Sequence, residues 1–201
     1  MNGLIPQFYQ GELQGRVLVD GQEISSRPMY QIAAKVGSVF QNPRTQFFNV
    51  DTDSEIAFGI ENEARPPQEL IERVEQTADD LRIQKLRNRN IFELSGGEKQ
   101  RISIARCILK DAPIIILDEA TASVDTDNES YIQEAISELV KGKTLLVIAH
   151  RLNTIQNADQ ILVIDNGQIA QQGTHEELLK QPGIYQEFVN IRKNAAGWSL
   201  A

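Results

Sequence analysis

Leu94-Ser95-Gly96-Gly97-Glu98-Lys99-Gln100 is the stretch from which the rest of this chain can be read. Ser95 with Glu98 three residues later forms a capping box, the opening of a helix. The residues between them are glycines, and a glycine inside a helix costs about 1 kcal/mol against alanine. A helix that opens this way gives up stability so that something can come close to its backbone. The unpaired N–H groups and partial positive charge of a helix N-terminus suit an anion, typically a phosphate. Taken alone, the same residues also fit a plain capped helix after a flexible loop.

The downstream flank adds two features. Ile102, Ile104, Ala105, Cys107, Ile108 and Leu109 make the helix apolar nearly all round as far as Lys110, which predicts burial. Ile114-Ile115-Ile116-Leu117 then reads as a short strand that ends on Asp118-Glu119. The order of glycine-opened helix, buried strand and paired acids resembles the signature motif and Walker B of the ATP-binding cassette (ABC) ATPases.

Composition narrows the classes. A chain of 201 residues with 41% hydrophobic and 24% charged residues is expected to fold as one soluble domain with a sizeable core. The formal net charge of −8 argues against nucleic-acid binding by phosphate neutralisation. The single cysteine, Cys107, is read as a small core residue in a reducing compartment. No apolar run approaches a membrane span, so membrane work would need another subunit or domain to cross.

Read in order, Met1 to Pro6 looks like the end of a helix, with Gly3 as its stop. Arg16 to Val19 reads as a strand running into an Asp20-Gly21 hairpin turn. Lys35 to Phe40 reads as another strand, followed by Gln41-Asn42-Pro43. Asp53, Ser54 and Glu55 suit a helix start. Pro66-Pro67 introduces a helix whose apolar residues fall at Leu70, Ile71, Val74, Ala78 and Leu81. Further capping boxes are expected at Thr126/Glu129 and Thr174/Glu177. Thr144 to Ala149 reads as a strand, and Gln160 to Gly173 as a hairpin about Asn166-Gly167. Ser137 to Thr144 is the nearest approach to the phosphate loop G-x-x-x-x-G-K-[ST]. It is rejected because it would end a helix and open a strand, the reverse of what such a loop does.

The alternation of strands and helices predicts a mostly parallel sheet, in which ligands bind at the carboxyl ends of strands. Gln41, Asp118-Glu119 and His150 each fall at such an end. Considered singly, Gln41 also fits a polar residue before a proline, and His150 a hydrogen-bonded structural histidine.

The resemblance implies an α/β, P-loop NTPase-like (RecA-like) fold with a helical subdomain. The N-terminal strands and phosphate loop would be missing, as if cut before the end of the Walker A helix. Residues 1–41 would be a remnant of the nucleotide-binding core, 42–110 the helical subdomain with the signature, 111–190 the rest of the core, and 191–201 a tail. The implied function is ATP hydrolysis coupled to transport. Glu119 would orient and deprotonate water, with His150 and Gln41 at the γ-phosphate. Asp118 and Gln41 would hold Mg²⁺. Ser95, Gly96, Gly97, Glu98 and Asp125 would reach ATP bound on a second, head-to-tail subunit. A transmembrane subunit or domain would dock on the helical subdomain at the cytoplasmic face of the membrane. Phe47 and Phe48 would line that groove or, by default, lie in the core.

Up to about Ser95 the chain is similar to energy-coupling-factor importer ATPases, in Gly11–Gly21, Phe40–Pro43 and Ala57–Asn62. From Gly97 on it resembles an exporter ATPase domain, in Asp118–Asp125 and Gly197–Leu200. The direction of transport stays open on this reading, as does a splice of two paralogous coding sequences inside the signature. Two alternatives accompany it: a half-site protein that completes a partner's ATP site, and a non-functional gene fragment.

Overall fold

Residues 14–61, 65–118, 126–148 and 155–196 are described in a computed structural model, with side chains except at 126–130 and 192–196. They fall into two compact units that divide after Ile148.

In the first unit, β1 (Leu18–Val19) and β2 (Gln22–Glu23) pair across Asp20-Gly21, whose φ angles of 54° and 70° are those of a hairpin turn. Helix α1 (Met29–Lys35) runs directly into β3 (Val36–Val39). The sequence pattern places the strand's start at Lys35. Instead Lys35 ends the helix, where its ammonium meets Asp20 at 2.9 Å. Helices α2 (Thr52–Ala57), α3 (Pro67–Asp80) and α4 (Gly96–Lys110) follow, then β4 (Ile114–Asp118), α5 (Thr126–Leu139) and β5 (Thr144–Ile148).

The three longer strands form a parallel sheet in the order β3-β4-β5. Its register pairs Gly37 with Ile115, Val39 with Leu117, and Asp118 with Ile148. Side chains alternate between the faces. Val39, Ile115 and Leu117 enter the main core with Ile102, Ala105 and Leu139, while Val36 and Ile116 join a smaller core with Val19, Ile24 and Ile32. Gly37 is required by a close approach: a Cβ there would lie 2.7 Å from Cys107 Sγ and 3.0 Å from Ile115 Cδ1. Gly142, at φ 66°, stops the chain after α5 before β5 begins, so Ser137–Thr144 does run from helix to strand.

In the second unit, β6 (Ile161–Asp165) and β7 (Gln168–Gly173) pair about Asn166-Gly167. Helices α6 (His175–Lys180) and α7 (Ile184–Ala196) cover one face through Leu178, Tyr185 and Val189, which pack with Ile161. The Thr174/Glu177 capping box is formed. The one expected at Thr126/Glu129 lies outside the described side chains.

Two apolar residues depart from expectation. Phe47 packs against the main core, but Phe48 is 75% exposed and stacks on Phe58 with ring centroids 4.9 Å apart. Ile71 on α3 is also exposed, and Thr77 takes a buried place on that helix instead.

Candidate functional site

The start of α4 has the form its sequence predicts. Glu98 N–H donates to Ser95 Oγ at 3.2 Å, and Ser95 N–H donates to Glu98 Oε2 at 2.7 Å. Ser95 and Gly96 are exposed and Gly97 is buried. Among the described residues, no atom outside its chain neighbours and the helix's own backbone lies within 4 Å of where a Gly96 Cβ would stand. No described neighbour therefore requires glycine at this position. The carboxylate of Glu98 is turned back onto the cap, with Arg89 at 3.5 Å, so it shapes the helix end.

Lys99 secures the preceding turn from below. Its side chain is buried, and its ammonium donates to the carbonyls of Leu94 at 2.6 Å and Phe92 at 3.2 Å. Burial, and then the nearby Arg44, hold its pKa below the usual lysine range, against the opposing pull of Glu98.

Helix α4 also grips the segment that follows β3. Gln100, buried, donates to the Phe40 carbonyl at 3.4 Å, immediately before Gln41. Arg106 donates to the Gln46 carbonyl at 2.7 Å, to Gln46 Oε1 at 3.0 Å, and to the fully buried Glu55. Glu55 Oε2 in turn accepts the backbone N–H groups of Phe48 and Asn49, each at 2.9 Å. A groove of about 400 Å³ lies beside this cluster, with Gly37 and Cys107 among its lining and Phe48, Phe58 and Lys110 contributing. Burial pushes the Cys107 thiol up to about 11, so it stays protonated and acts as a small core residue.

Of the residues singled out from sequence, Ser95, Gly96, Gly97 and Glu98 share the N-terminus of α4. Asp118 ends β4 half-buried, and Gln41 follows the end of the neighbouring β3, exposed. Glu119, Asp125 and His150 lie outside the described residues. Sequence reading missed Gln46, Glu55, Lys99, Gln100 and Arg106. Arg106 carried a usable signal: a charge inside the apolar run Ile102–Leu109 has to find a partner.

The family model of ABC transporters matches residues 4–122 of this chain. The chain belongs to the ABC transporter ATP-binding family. It is 44% identical over 85% of its length to a Treponema denticola protein named as an ABC transporter ATP-binding protein, covering 35% of that protein. It is equally 44% identical, over 90% of its length, to an ATP-dependent lipid A-core flippase of Pseudomonas aeruginosa, covering 31% of it. A solved bacterial Atm1-family ABC exporter with ATP bound superposes with a TM-score of 0.73 at 33% identity, over 89% of this chain and 32% of that one. The chain thus spans about a third of the length of these relatives. Among the described residues, no helix is long and apolar enough to cross a membrane.

Proposed function

We propose that this chain is an ATP-binding part of an ABC transporter and supplies the signature half of an ATP site shared between two head-to-tail subunits. The observation that carries this reading is the α4 N-terminus: a closed capping box, an exposed Ser95-Gly96, and open space beside the Gly96 backbone. Ser95, Gly96 and Gly97, shaped by Glu98, direct backbone N–H groups at the γ-phosphate of ATP held by the second subunit. The family resemblance assigns Asp125 to the same shared site.

The chain's own catalytic edge is the carboxyl end of the parallel sheet. Phosphoryl transfer to water needs positioning and charge stabilisation more than covalent help. Glu119 orients the attacking water and takes its proton. His150 and Gln41 contact the γ-phosphate and that water. Asp118 and Gln41 suit Mg²⁺ by donor chemistry, a carboxylate and an amide oxygen at neighbouring strand ends. Mg²⁺ relies on one or two carboxylates together with substrate phosphates and water. When bound, the ion neutralises phosphate charge. A transmembrane subunit or domain docks at the groove beside Phe48 and Phe58, and the family resemblance implies that this happens at the cytoplasmic face of a membrane.

The 201 residues contain no G-x-x-x-x-G-K-[ST] segment. The test therefore compares ATP binding and turnover by this chain with those of an in-frame product that also carries a Walker A. The expected result is turnover by the longer product alone, lost with Glu119→Gln and with Ser95→Arg. Full turnover in Glu119→Gln would remove the general base, and full turnover in Ser95→Arg would remove the shared site.

A further inference from the structure

We infer that Arg106 is a positioning residue, through which helix α4 sets the placement of the exposed Phe48–Phe58 pair. The chain of contact is continuous. Arg106 lies one position before Cys107 on α4, the helix whose other end is the Ser95 cap. Its side chain is 15% exposed, and its guanidinium spans two partners on separate segments, Gln46 through both its carbonyl and its amide oxygen, and Glu55 on α2. Glu55, fully buried, spends its second oxygen on the backbone N–H groups of Phe48 and Asn49. Asn49 closes the loop by donating from its side chain to the Ser54 carbonyl at 3.1 Å. The Phe48 backbone is thus held by an anion, and that anion is held by α4.

The arrangement suits a positional role. A buried carboxylate left without its cation is strongly unfavourable, so Glu55 cannot shift away from Arg106 independently. The planar fork fixes direction as well as charge, which a lysine ammonium cannot do. Gln100 holds the Phe40 carbonyl from the same helix, so the segment 40–46 is held by α4 at both its ends. Any displacement of α4 at its Ser95 end is therefore delivered through Glu55 to the Phe48 surface. This last step rests on the ATP reading above, because it takes the Ser95 end as the place where nucleotide acts.

Amide hydrogen exchange of the 201-residue chain, without nucleotide, tests the grip. In Arg106→Lys and in Glu55→Gln, the Phe48 and Asn49 amides exchange at least tenfold faster, while those of β4 keep their rates. A merely structural role speeds exchange evenly through the first unit. That result, or unchanged rates at Phe48 and Asn49, overturns the proposal. Arg106→Lys keeps the charge and Glu55→Gln keeps the shape, so a folded variant is available even if one of them fails. The product that also carries a Walker A tests transmission. MgATP slows exchange at Phe48 and Asn49 in the parent and leaves it unchanged in Arg106→Lys, which still binds ATP. An unaltered response in that variant overturns the proposal. The first measurement needs no ATP, so the grip and the ATP reading fail separately.

Discussion

At Gly37, a single missing methyl group is what lets α4 lie against β3. Gly37→Ala puts its Cβ 2.7 Å from Cys107 Sγ, and overpacking of that kind costs about 1–3 kcal/mol. Thermal unfolding should show a lower Tm for Gly37→Ala, and adding Cys107→Ala should restore part of it. Lys99 is the opposite case, a charge kept inside. Lys99→Met should remove about 2–3 kcal/mol in denaturant unfolding, because two carbonyls lose a charged donor. Neither residue was legible beforehand. Sequence periodicity records where apolar side chains recur, and it carries no information on what a buried polar group bonds to. Glu55 reads as a helix-start acid and Arg106 as an interruption of an apolar run, and only the fold brings them together.

Element boundaries were more readable, because caps and turns are local. The boxes at Ser95/Glu98 and Thr174/Glu177, and the turns at Asp20-Gly21 and Asn166-Gly167, form where their residues announce them. Lys35 departs from its sequence reading, and Phe48 takes the groove alternative over the core one, for one shared reason: their environment is set by other segments, Asp20 for the first and Phe58 for the second. Gly96→Ala separates stability from function at α4. With open space around the site, alanine should raise helix stability by up to about 1 kcal/mol. In the Walker A-bearing product it should nevertheless lower ATP turnover, since a methyl group would stand where the proposed shared site brings the γ-phosphate. Helix α2 supplies a pH signature. Asp51 accepts the Ser54 N–H at 2.9 Å, which holds its carboxyl below the usual range. As pH falls through about 4, the unfolded chain takes up this proton first. The cap's contribution is thus complete above that pH and disappears as pH falls through the lower folded value. Asp51→Asn should flatten this part of the pH–stability curve measured by urea unfolding.

Across the whole molecule, the parallel sheet was legible from the order of its strands, whereas much of the expected catalytic edge falls beyond the described residues. Among the described residues β5 lies at the edge of its sheet, with Leu145 and Ile148 partly exposed. In the second unit Leu162, Ile164 and Ile169 are exposed on the hairpin. Open strand edges and apolar sheet faces invite pairing between chains. Light scattering on the isolated chain should show concentration-dependent association, and Leu145→Lys with Ile164→Lys should reduce it. The register of the sheet has a further consequence. Because β4 lies between β3 and β5 with Asp118 level with Ile148, strand length acts as a ruler for chemistry. Inserting one residue between Ile114 and Leu117 would leave the hydrophobicity of the strand untouched and turn Asp118 to the opposite face. In this lineage, gaps in that strand should be far rarer than exchanges among Ile, Leu and Val.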